Sequence, residues 1–262
     1  MDIVVCVKQV PDTNEVKIDE EKGTLIREGV PSIINPEDKV ALEEAVRLKE
    51  EFGGKVTVIS MGPPQAKDAL IEAYAMGADQ AILLSDRKFA GSDTWATAYT
   101  LSQAIKEVGD YDLIFCGRQA IDGDTAQVGP QVAENLDIPQ ITYVMDLNIE
   151  GKKVIAKRKL EDGYSIIETT QPVLLTVLDD LNYPRYPSIK RIIDAFNNKN
   201  TINVWTAEDF TVDENKLGLD ASPTQVYDTF VPTSDHEAEI LEGTVEEKIE
   251  KLIGKLKENK IV

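Results

Sequence analysis

Short runs of β-branched residues alternate with longer amphipathic runs up to residue 140 of the chain. The run IVVCVKQV (Ile3 to Val10) is typical of a strand, and NPEDKVALEEAVRLKEEFGG is typical of a helix with Asn35 as N-cap and Pro36 as its first residue. Three further pairs repeat this order: KVTVISMG with PPQAKDALIEAYAMGA, QAILLSD with TWATAYTLSQAIKEVG, and YDLIFCG with TAQVGPQVAENLD. The pattern predicts an open α/β fold, with a mainly parallel sheet, right-handed crossovers and helices on both faces.

The pattern changes from about Ile141. Three strand-like runs, ITYVMDLNIE, KKVIAKRKL and YSIIETTQ, are separated by Gly151 and by Asp162-Gly163, which are typical of hairpin turns. PVLLTVLDD follows as a continuous apolar run, typical of a buried strand. We therefore expect the parallel sheet to carry an antiparallel extension.

The last part of the chain contains few apolar residues until TVEEKIEKLIGKLKEN. Thr244 and Glu247 have the spacing of a capping box, and apolar residues recur on one face of the predicted helix. Such a face packs either on its own chain or on another one, and the polar segment before it offers no local core. We expect an α/β domain of residues 1–192 and a C-terminal arm of residues 193–262.

Composition excludes several classes of function. A formal net charge of −19 repels phosphate backbones and no basic stripe interrupts it, so we expect no nucleic-acid binding. Cys6 and Cys116 are too few for a four-thiolate iron–sulfur cluster, and we expect reduced thiols at strand ends. His236, the only histidine, argues against histidine-based catalysis. Neither a membrane-spanning apolar run nor a secretory signal is evident, so we expect a cytoplasmic protein.

In an open parallel sheet, ligands bind outside the carboxyl ends of the strands, where helix N-termini point unpaired N–H groups into a crevice. The segments at such ends are CVKQVPD, SMGPP, GSDTWATA and CGRQAIDGDTAQ. None contains GxGxxG or a Walker lysine loop, so the usual dinucleotide and P-loop sites are not predicted. In GSDTWATA, Asp93 and Thr94 mark a helix start.

The segment DGDTAQ combines an anion-binding pattern with two carboxylates. Asp124 and Gln127 have capping-box spacing, so we expect the Asp124 carboxylate to cap the following helix. We expect Gly123 to adopt a backbone conformation that other residues avoid and to let a phosphate approach. The N–H groups of residues 125–128 would then form an anion-binding nest, with the Thr125 hydroxyl as a further donor.

The carboxylates of this loop leave alternatives open. A capped helix start that binds no ligand explains Asp124 as well, and Mg²⁺ is a further candidate if Asp93, Asp122 and Asp124 converge. We expect no metal, because acidic residues at such positions also cap helices. Asp122 has no local explanation, and Pro130, about one turn into the predicted helix, is expected to bend it.

Six segments carry a family resemblance: VCVKQVPD, GVPSIINPEDKVALEEAVRLKE, VTVISMGPPQA, EAYAMGAD, CGRQAIDGDTAQVGP and NYPRYPSIKRIIDA, which contains a Pro-Arg-Tyr signature. Together they resemble the β subunit of an electron transfer flavoprotein over nearly the whole chain. The resemblance implies a Rossmann-like, adenine-nucleotide-binding α/β domain whose C-terminal arm packs on an α subunit. In simple members the β-subunit pocket holds structural AMP. In electron-bifurcating members it holds a second FAD, whose ADP half takes the AMP position.

The resemblance also implies which residues hold the cofactor. The adenosine and phosphate contacts fall on Val7, Lys8, Asn35, Met61, Gly62, Cys116, Asp122, Gly123, Asp124, Thr125, Gln127 and Val128. The stretch GSDTWATA matches the bifurcating type, in which Asp93 and Thr94 lie near the ribityl chain and the flavin ring. The resemblance therefore favours FAD, with AMP as the alternative.

By the same resemblance, NADH gives a hydride to this flavin, and the two electrons leave separately. One goes to ferredoxin or flavodoxin, and the other passes through the α-subunit FAD to an acyl-CoA dehydrogenase or another flavin dehydrogenase. Because the flavin carries the chemistry, no catalytic side chain is expected. The segment YPRYPSIKRI is expected to dock on the dehydrogenase through Arg185, Tyr186 and the apolar anchor Ile189. The alternatives are a non-bifurcating subunit with structural AMP and a nucleotide-binding regulatory protein that needs no partner.

Overall fold

A computed structural model describes residues 1–12, 17–19, 24–26, 31–198, 201–227 and 239–261. The strands are β1 Asp2–Cys6, β2 Gln9–Pro11, β3 Lys17–Asp19, β4 Thr24–Ile26, β5 Ser32–Ile34, β6 Lys55–Met61, β7 Gln80–Leu84, β8 Leu113–Gly117, β9 Gln140–Glu150, β10 Lys153–Leu160, β11 Gly163–Thr170, β12 Val173–Val177 and β13 Ile202–Trp205. The helices are α1 Pro36–Phe52, α2 Lys67–Met76, α3 Thr94–Val108, α4 Val128–Leu136, α5 Ile189–Asn197 and α6 Val245–Glu258.

Nine strands form one sheet in the order β11-β10-β9-β12-β8-β1-β6-β7-β13. Neighbours are parallel from β9 to β13 in this order, whereas β10 pairs antiparallel with both β9 and β11. The expected parallel sheet with an antiparallel extension is thus confirmed. Gly151 and Gly163 occupy the two hairpin turns with φ of +64° and +152°, a region that favours glycine. The first predicted strand is divided, since β1 ends at Cys6 and β2 pairs with β5 instead.

Helices cover both faces of the sheet, as expected. Leu42 of α1 and Leu70 of α2 pack in the core on the face that receives Ile3 and Val5 of β1. The opposite face receives Val4 and Cys6, together with the buried residues of α3 and α4. Because β1 is buried on both sides, its sequence is a continuous apolar run rather than an alternating one.

The chain divides into two compact units, residues 1–227 and residues 228–262. The first unit extends beyond residue 192, where we expected the α/β domain to end, because β13 pairs with β7 at the sheet edge. In the second unit, α6 has the expected capping box between Thr244 and Glu247. No helix in the described ranges is long and apolar enough to cross a membrane.

Candidate functional site

A cavity of about 1140 Å³ lies at the carboxyl ends of β1, β6, β7 and β8. From β1 the chain passes through α1 to β6, while β8 lies on the other side of β1, so this is the switch point of the sheet. Open α/β sheets bind ligands at such a crevice. Small-molecule sites usually measure about 300–1,000 Å³, so this cavity has room for a ligand of dinucleotide size.

Most of the cofactor residues suggested by the sequence line this one cavity: Val7, Lys8, Met61, Gly62, Asp93, Thr94, Cys116, Gly123, Asp124, Thr125, Gln127 and Val128. Asn35 and Asp122 are not among the lining residues and bond to residues that are. The cavity is also lined by residues for which the sequence predicted no role in a site: Cys6, Asp38, Arg87, Arg118 and Val226.

Side chains at the N-terminus of α1 hold the loop that follows β8. Asn35 Nδ2 donates to the Gln119 carbonyl at 2.8 Å, and Asn35 Oδ1 accepts from the Ile121 N–H at 3.0 Å. Glu37 accepts from the Gln119 N–H at 3.0 Å and pairs with Arg118 at 3.0 Å. Asn35 does occupy the predicted N-cap position, but its side chain makes no cap bond. The helix start therefore shapes a distant loop instead of satisfying its own N–H groups.

Asp38, in the cavity wall, connects the segments that follow β1 and end β8 through its carboxylate. Its buried carboxylate accepts hydrogen bonds from the Lys8 N–H at 2.7 Å and from the Gly117 N–H at 3.0 Å. Desolvation by burial raises the pKa of Asp38 to about 7. A Cβ at Gly117 would lie 2.4 Å from Asp38 Oδ1, so this approach requires glycine. In the sequence, Asp38 looks like an ordinary acidic residue of a first helical turn, which is why it was missed.

The carboxylates of the DGDTAQ loop have partners that lie outside the loop's own helix. Asp122 pairs with Lys8 Nζ at 2.6 Å, which accounts for the carboxylate that had no local explanation. Asp124 accepts from Gln119 Nε2 at 2.7 Å. Our expectation that Asp124 caps the helix was wrong, because α4 has Gln127 as its N-cap and no side-chain cap bond.

The later start of α4 also changes the role of Pro130. This residue lies in the first turn of Val128–Leu136, where the missing N–H would have no helical partner in any case. The expectation that Pro130 lies about one turn into the helix and removes a helical hydrogen bond was therefore wrong.

The segment before α4 has the properties of an anion-binding nest. Asp124 and Ala126 have left-handed φ values of +48° and +52°. Gly123 does not, contrary to expectation, although no atom lies within 4 Å of the position its Cβ would take. Within the described chain, the N–H groups of residues 125–127 have no hydrogen-bond partner, and neither does the buried Nε of Arg118. These donors fit a phosphate group at this end of the cavity.

The loop after β7 forms the other end of the cavity. Asp93 caps α3, as expected, by accepting from the N–H groups of Trp95 and Ala96 at 3.0 and 3.1 Å. The same carboxylate accepts from the Thr224 N–H at 2.9 Å and from the Thr224 hydroxyl at 2.7 Å. Thr94 Oγ1 donates to Gln127 Oε1 at 3.0 Å, which connects this loop to the nest. The Asp93 carboxylate thus accepts four hydrogen bonds within the chain and joins the start of α3 to Thr224 beside the cavity.

Cys6 and Cys116 lie side by side in the cavity wall, on adjacent strands. Both thiols are free, as expected, and both are buried. The neighbouring Cys6 and burial raise the pKa of the Cys116 thiol well above its usual range. Among the described residues, no group of three or more His, Cys, Asp or Glu side chains is placed to hold a metal ion. His236 lies outside the described residues.

The segment expected to dock a dehydrogenase lies along α1. Arg185 pairs with Glu43 at 2.8 Å and with Glu50 at 2.6 Å, and these contacts raise the pKa of the guanidinium. Glu43 is buried, so this clamp fixes the segment to the body of the protein. Tyr186 and Ile189 are 96% and 76% exposed. The arginine is therefore engaged within the chain, and the apolar side chains face outward.

The sheet order, the crevice and its unsatisfied N–H donors define an open α/β protein with a site suited to a nucleotide. Residues 22–209 match the electron transfer flavoprotein domain. The chain is 60% identical to the electron transfer flavoprotein subunit beta of Thermoanaerobacterium thermosaccharolyticum, over the full length of both chains. The chain therefore belongs to the electron transfer flavoprotein family, among its β subunits, and the resemblance is confirmed.

Two further relatives are named for particular complexes. The chain is 54% identical to the caffeyl-CoA reductase-Etf complex subunit CarD of Acetobacterium woodii, and 44% identical to the acryloyl-CoA reductase electron transfer subunit gamma of Anaerotignum propionicum. Both similarities cover the full length of both chains. At this level, the family assigns the chain to electron transfer, with a flavin or related nucleotide as cofactor and an α subunit as partner.

Proposed function

We propose that this β subunit binds FAD in its cavity and takes part in electron bifurcation. The observation that carries the proposal is a single cavity of about 1140 Å³ lined by the loops after both β7 and β8. Of these two loops, a mononucleotide whose phosphate lies at the nest would contact only the loop after β8. An FAD with its pyrophosphate there has an isoalloxazine and ribityl part left to fill the space towards Asp93 and Thr94. Structural AMP is the alternative.

The chain's own groups bind and position the cofactor. The N–H groups of residues 125–127, the Thr125 hydroxyl and the Arg118 guanidinium would donate hydrogen bonds to phosphate oxygens. The Lys8–Asp122 pair and Asp38 hold the surrounding strand ends in place. A bound flavin would accept a hydride from NADH and release the two electrons one at a time. One electron would go to ferredoxin or flavodoxin, and the other would pass through the α-subunit FAD to a dehydrogenase. The protein then needs no catalytic side chain.

We also propose that Tyr186 and Ile189 dock the dehydrogenase. Their exposure supports an apolar contact, and Arg185 contributes by holding the segment on α1. The names of two relatives, a caffeyl-CoA reductase complex and acryloyl-CoA reductase, support a flavin enzyme acting on CoA esters as the partner. Large exposed side chains with a rigid support are typical of interface anchors.

The C-terminal part of the chain is proposed to pack on the α subunit. The apolar face of α6 is exposed at Val245, Ile249, Leu252 and Ile253, whose relative exposures range from 43% to 68%. A helix with such a face usually packs on another element. This supports an arm within residues 193–262 that reaches a second chain.

The deciding experiment is a cofactor count. The chain is purified with its α subunit, the cofactors are released by denaturation, and FAD and AMP are separated and quantified. Two FAD per heterodimer are expected, whereas one FAD and one AMP would establish the non-bifurcating alternative. NADH-dependent reduction of ferredoxin, measured with and without a CoA-ester reductase, then tests bifurcation itself. Full nucleotide affinity in a stable, isolated chain would favour a partner-free regulatory protein.

A further inference from the structure

Cys6 and Cys116 are directly opposite each other on the adjacent parallel strands β1 and β8. Neighbouring strands lie about 4.8 Å apart, and disulfides join residues whose Cα atoms are about 4.4–6.8 Å apart. Both side chains belong to the core cluster on the α3 and α4 face, so they point to the same side of the sheet. The backbone therefore already meets the main geometric requirement for a disulfide.

The two thiols also interact directly. The Cys6 side chain is the leading cause that raises the pKa of the Cys116 thiol, followed by burial. Cys116 consequently stays protonated at neutral pH. Cys6 and Cys116 are only 8% and 6% exposed, and both line the cavity. This placement gives a small reagent a path to both thiols through the cavity.

We propose that Cys6 and Cys116 form a redox modification site, which hydrogen peroxide converts into a reversible disulfide in the cavity wall. This role is separate from electron transfer by a bound cofactor.

The chemistry balances with peroxide as the oxidant. The Cys6 thiolate attacks one peroxide oxygen and breaks the O–O bond, which gives a sulfenic acid and, with the thiol proton, one water. The Cys116 sulfur then attacks the sulfenic sulfur and displaces hydroxide, which takes the Cys116 proton and leaves as a second water. Two thiols are oxidised to one disulfide, and one peroxide is reduced to two waters. A dithiol such as dithiothreitol reverses the change by exchange.

The bond would join β1 to β8 at the switch point. Val7 and Gly117, the residues that follow the two cysteines, both line the cavity. A covalent link therefore acts on the strand ends that Asp38 already joins by hydrogen bonds.

The first test uses the full chain purified with its α subunit, depleted of bound nucleotide, treated with hydrogen peroxide, and then alkylated under denaturing conditions. Peptide mapping by mass spectrometry should find the Cys6 peptide linked to the Cys116 peptide, and the link should disappear with dithiothreitol. Since the chain has two cysteines, one link accounts for both of its thiols. The proposal is overturned if both thiols remain open to alkylation, if either is oxidised to sulfinic acid without a link, or if the link joins separate chains.

A Cys6→Ser variant is the matched control, because serine keeps the size of the side chain and removes the attacking sulfur. It should give no linked peptide. Should this variant fail to fold, the result for the unmodified chain still decides the proposal.

A second test asks whether peroxide arrives through the cavity, and this part rests on the proposed nucleotide site. At an AMP concentration about ten times its Kd, measured by equilibrium dialysis, disulfide formation should slow roughly tenfold because only empty molecules react. An unchanged rate with AMP bound would show another route and contradict the cavity-wall assignment. Failure of both AMP and FAD to bind would contradict the proposed function and leave the disulfide result standing.

Discussion

Replacing Asp38 with asparagine should flatten the pH dependence of the free energy of unfolding between about pH 4 and about pH 7. Burial raises the pKa of Asp38 from 3.8 to about 7, so the folded state holds this proton more tightly than the unfolded state. The contribution of Asp38 to the free energy of unfolding is then largest below about pH 4 and falls as pH rises through this window. At about 1.36 kcal/mol per pKa unit, the fall due to Asp38 amounts to about 4 kcal/mol.

The assay is urea denaturation at a series of pH values, with Asp68→Asn as control, since Asp68 is an exposed carboxylate at the start of α2. Asparagine loses one of the two acceptors that face the N–H groups of Lys8 and Gly117, which lowers stability by a constant amount. The stability advantage of the unmodified protein over Asp38→Asn should therefore shrink as pH rises, and Asp68→Asn should keep the original slope. An advantage that stays the same at every pH would refute the reasoning.

Three further predictions test the site and its supports. Thr125→Val should lower flavin occupancy in this subunit and leave the α-subunit flavin in place, as measured by cofactor release; unchanged occupancy at both sites would show that the hydroxyl is not needed. Glu43→Gln breaks a buried ion pair and should lower the free energy of unfolding by about 3 kcal/mol, whereas the exposed Glu50→Gln should cost at most about 1 kcal/mol; equal losses in urea denaturation would contradict the burial argument. Gly117→Ala should lower the free energy of unfolding by about 1–3 kcal/mol because the new Cβ meets the Asp38 carboxylate. Gly123→Ala has open space around its Cβ, so it should change the free energy of unfolding by no more than about 0.5 kcal/mol. Its effect should be confined to weaker AMP binding, measured by equilibrium dialysis.

Local patterns in the sequence predicted the elements and their arrangement well. The α/β alternation, the hairpin turns at Gly151 and Gly163 and the caps at Asp93 and Thr244 depend on residues close together in the chain. Such signals are strong because periodicity, turn chemistry and capping act within a few residues. The parallel sheet with its antiparallel extension followed from the same elements through the connection rules, whereas the order of its strands was not predicted.

Contacts between distant residues were beyond local patterns. Asp122 finds its partner in Lys8, 114 positions away, and only the order of β1 and β8 in the sheet brings these two residues together. Asp124 was missed for a local reason, since it bonds to Gln119 in the same loop although its spacing to Gln127 is that of a capping box. Edge pairing likewise adds residues 202–205 to the sheet, although the polar composition around them suggested an arm.

Helix α1 supports both the cavity loops and the exposed segment around Arg185, so one mutation in it can disturb both. Asn35, Glu37 and Asp38 hold the cavity loops from its N-terminus, while Glu43 and Glu50 hold the exposed segment further along the same helix. Substitutions that shift α1 as a body should therefore be pleiotropic, with cofactor loss and poor coupling to the acceptor enzyme appearing in one mutant. Mutants that separate the two defects should map to the loops and not to the helix that supports them.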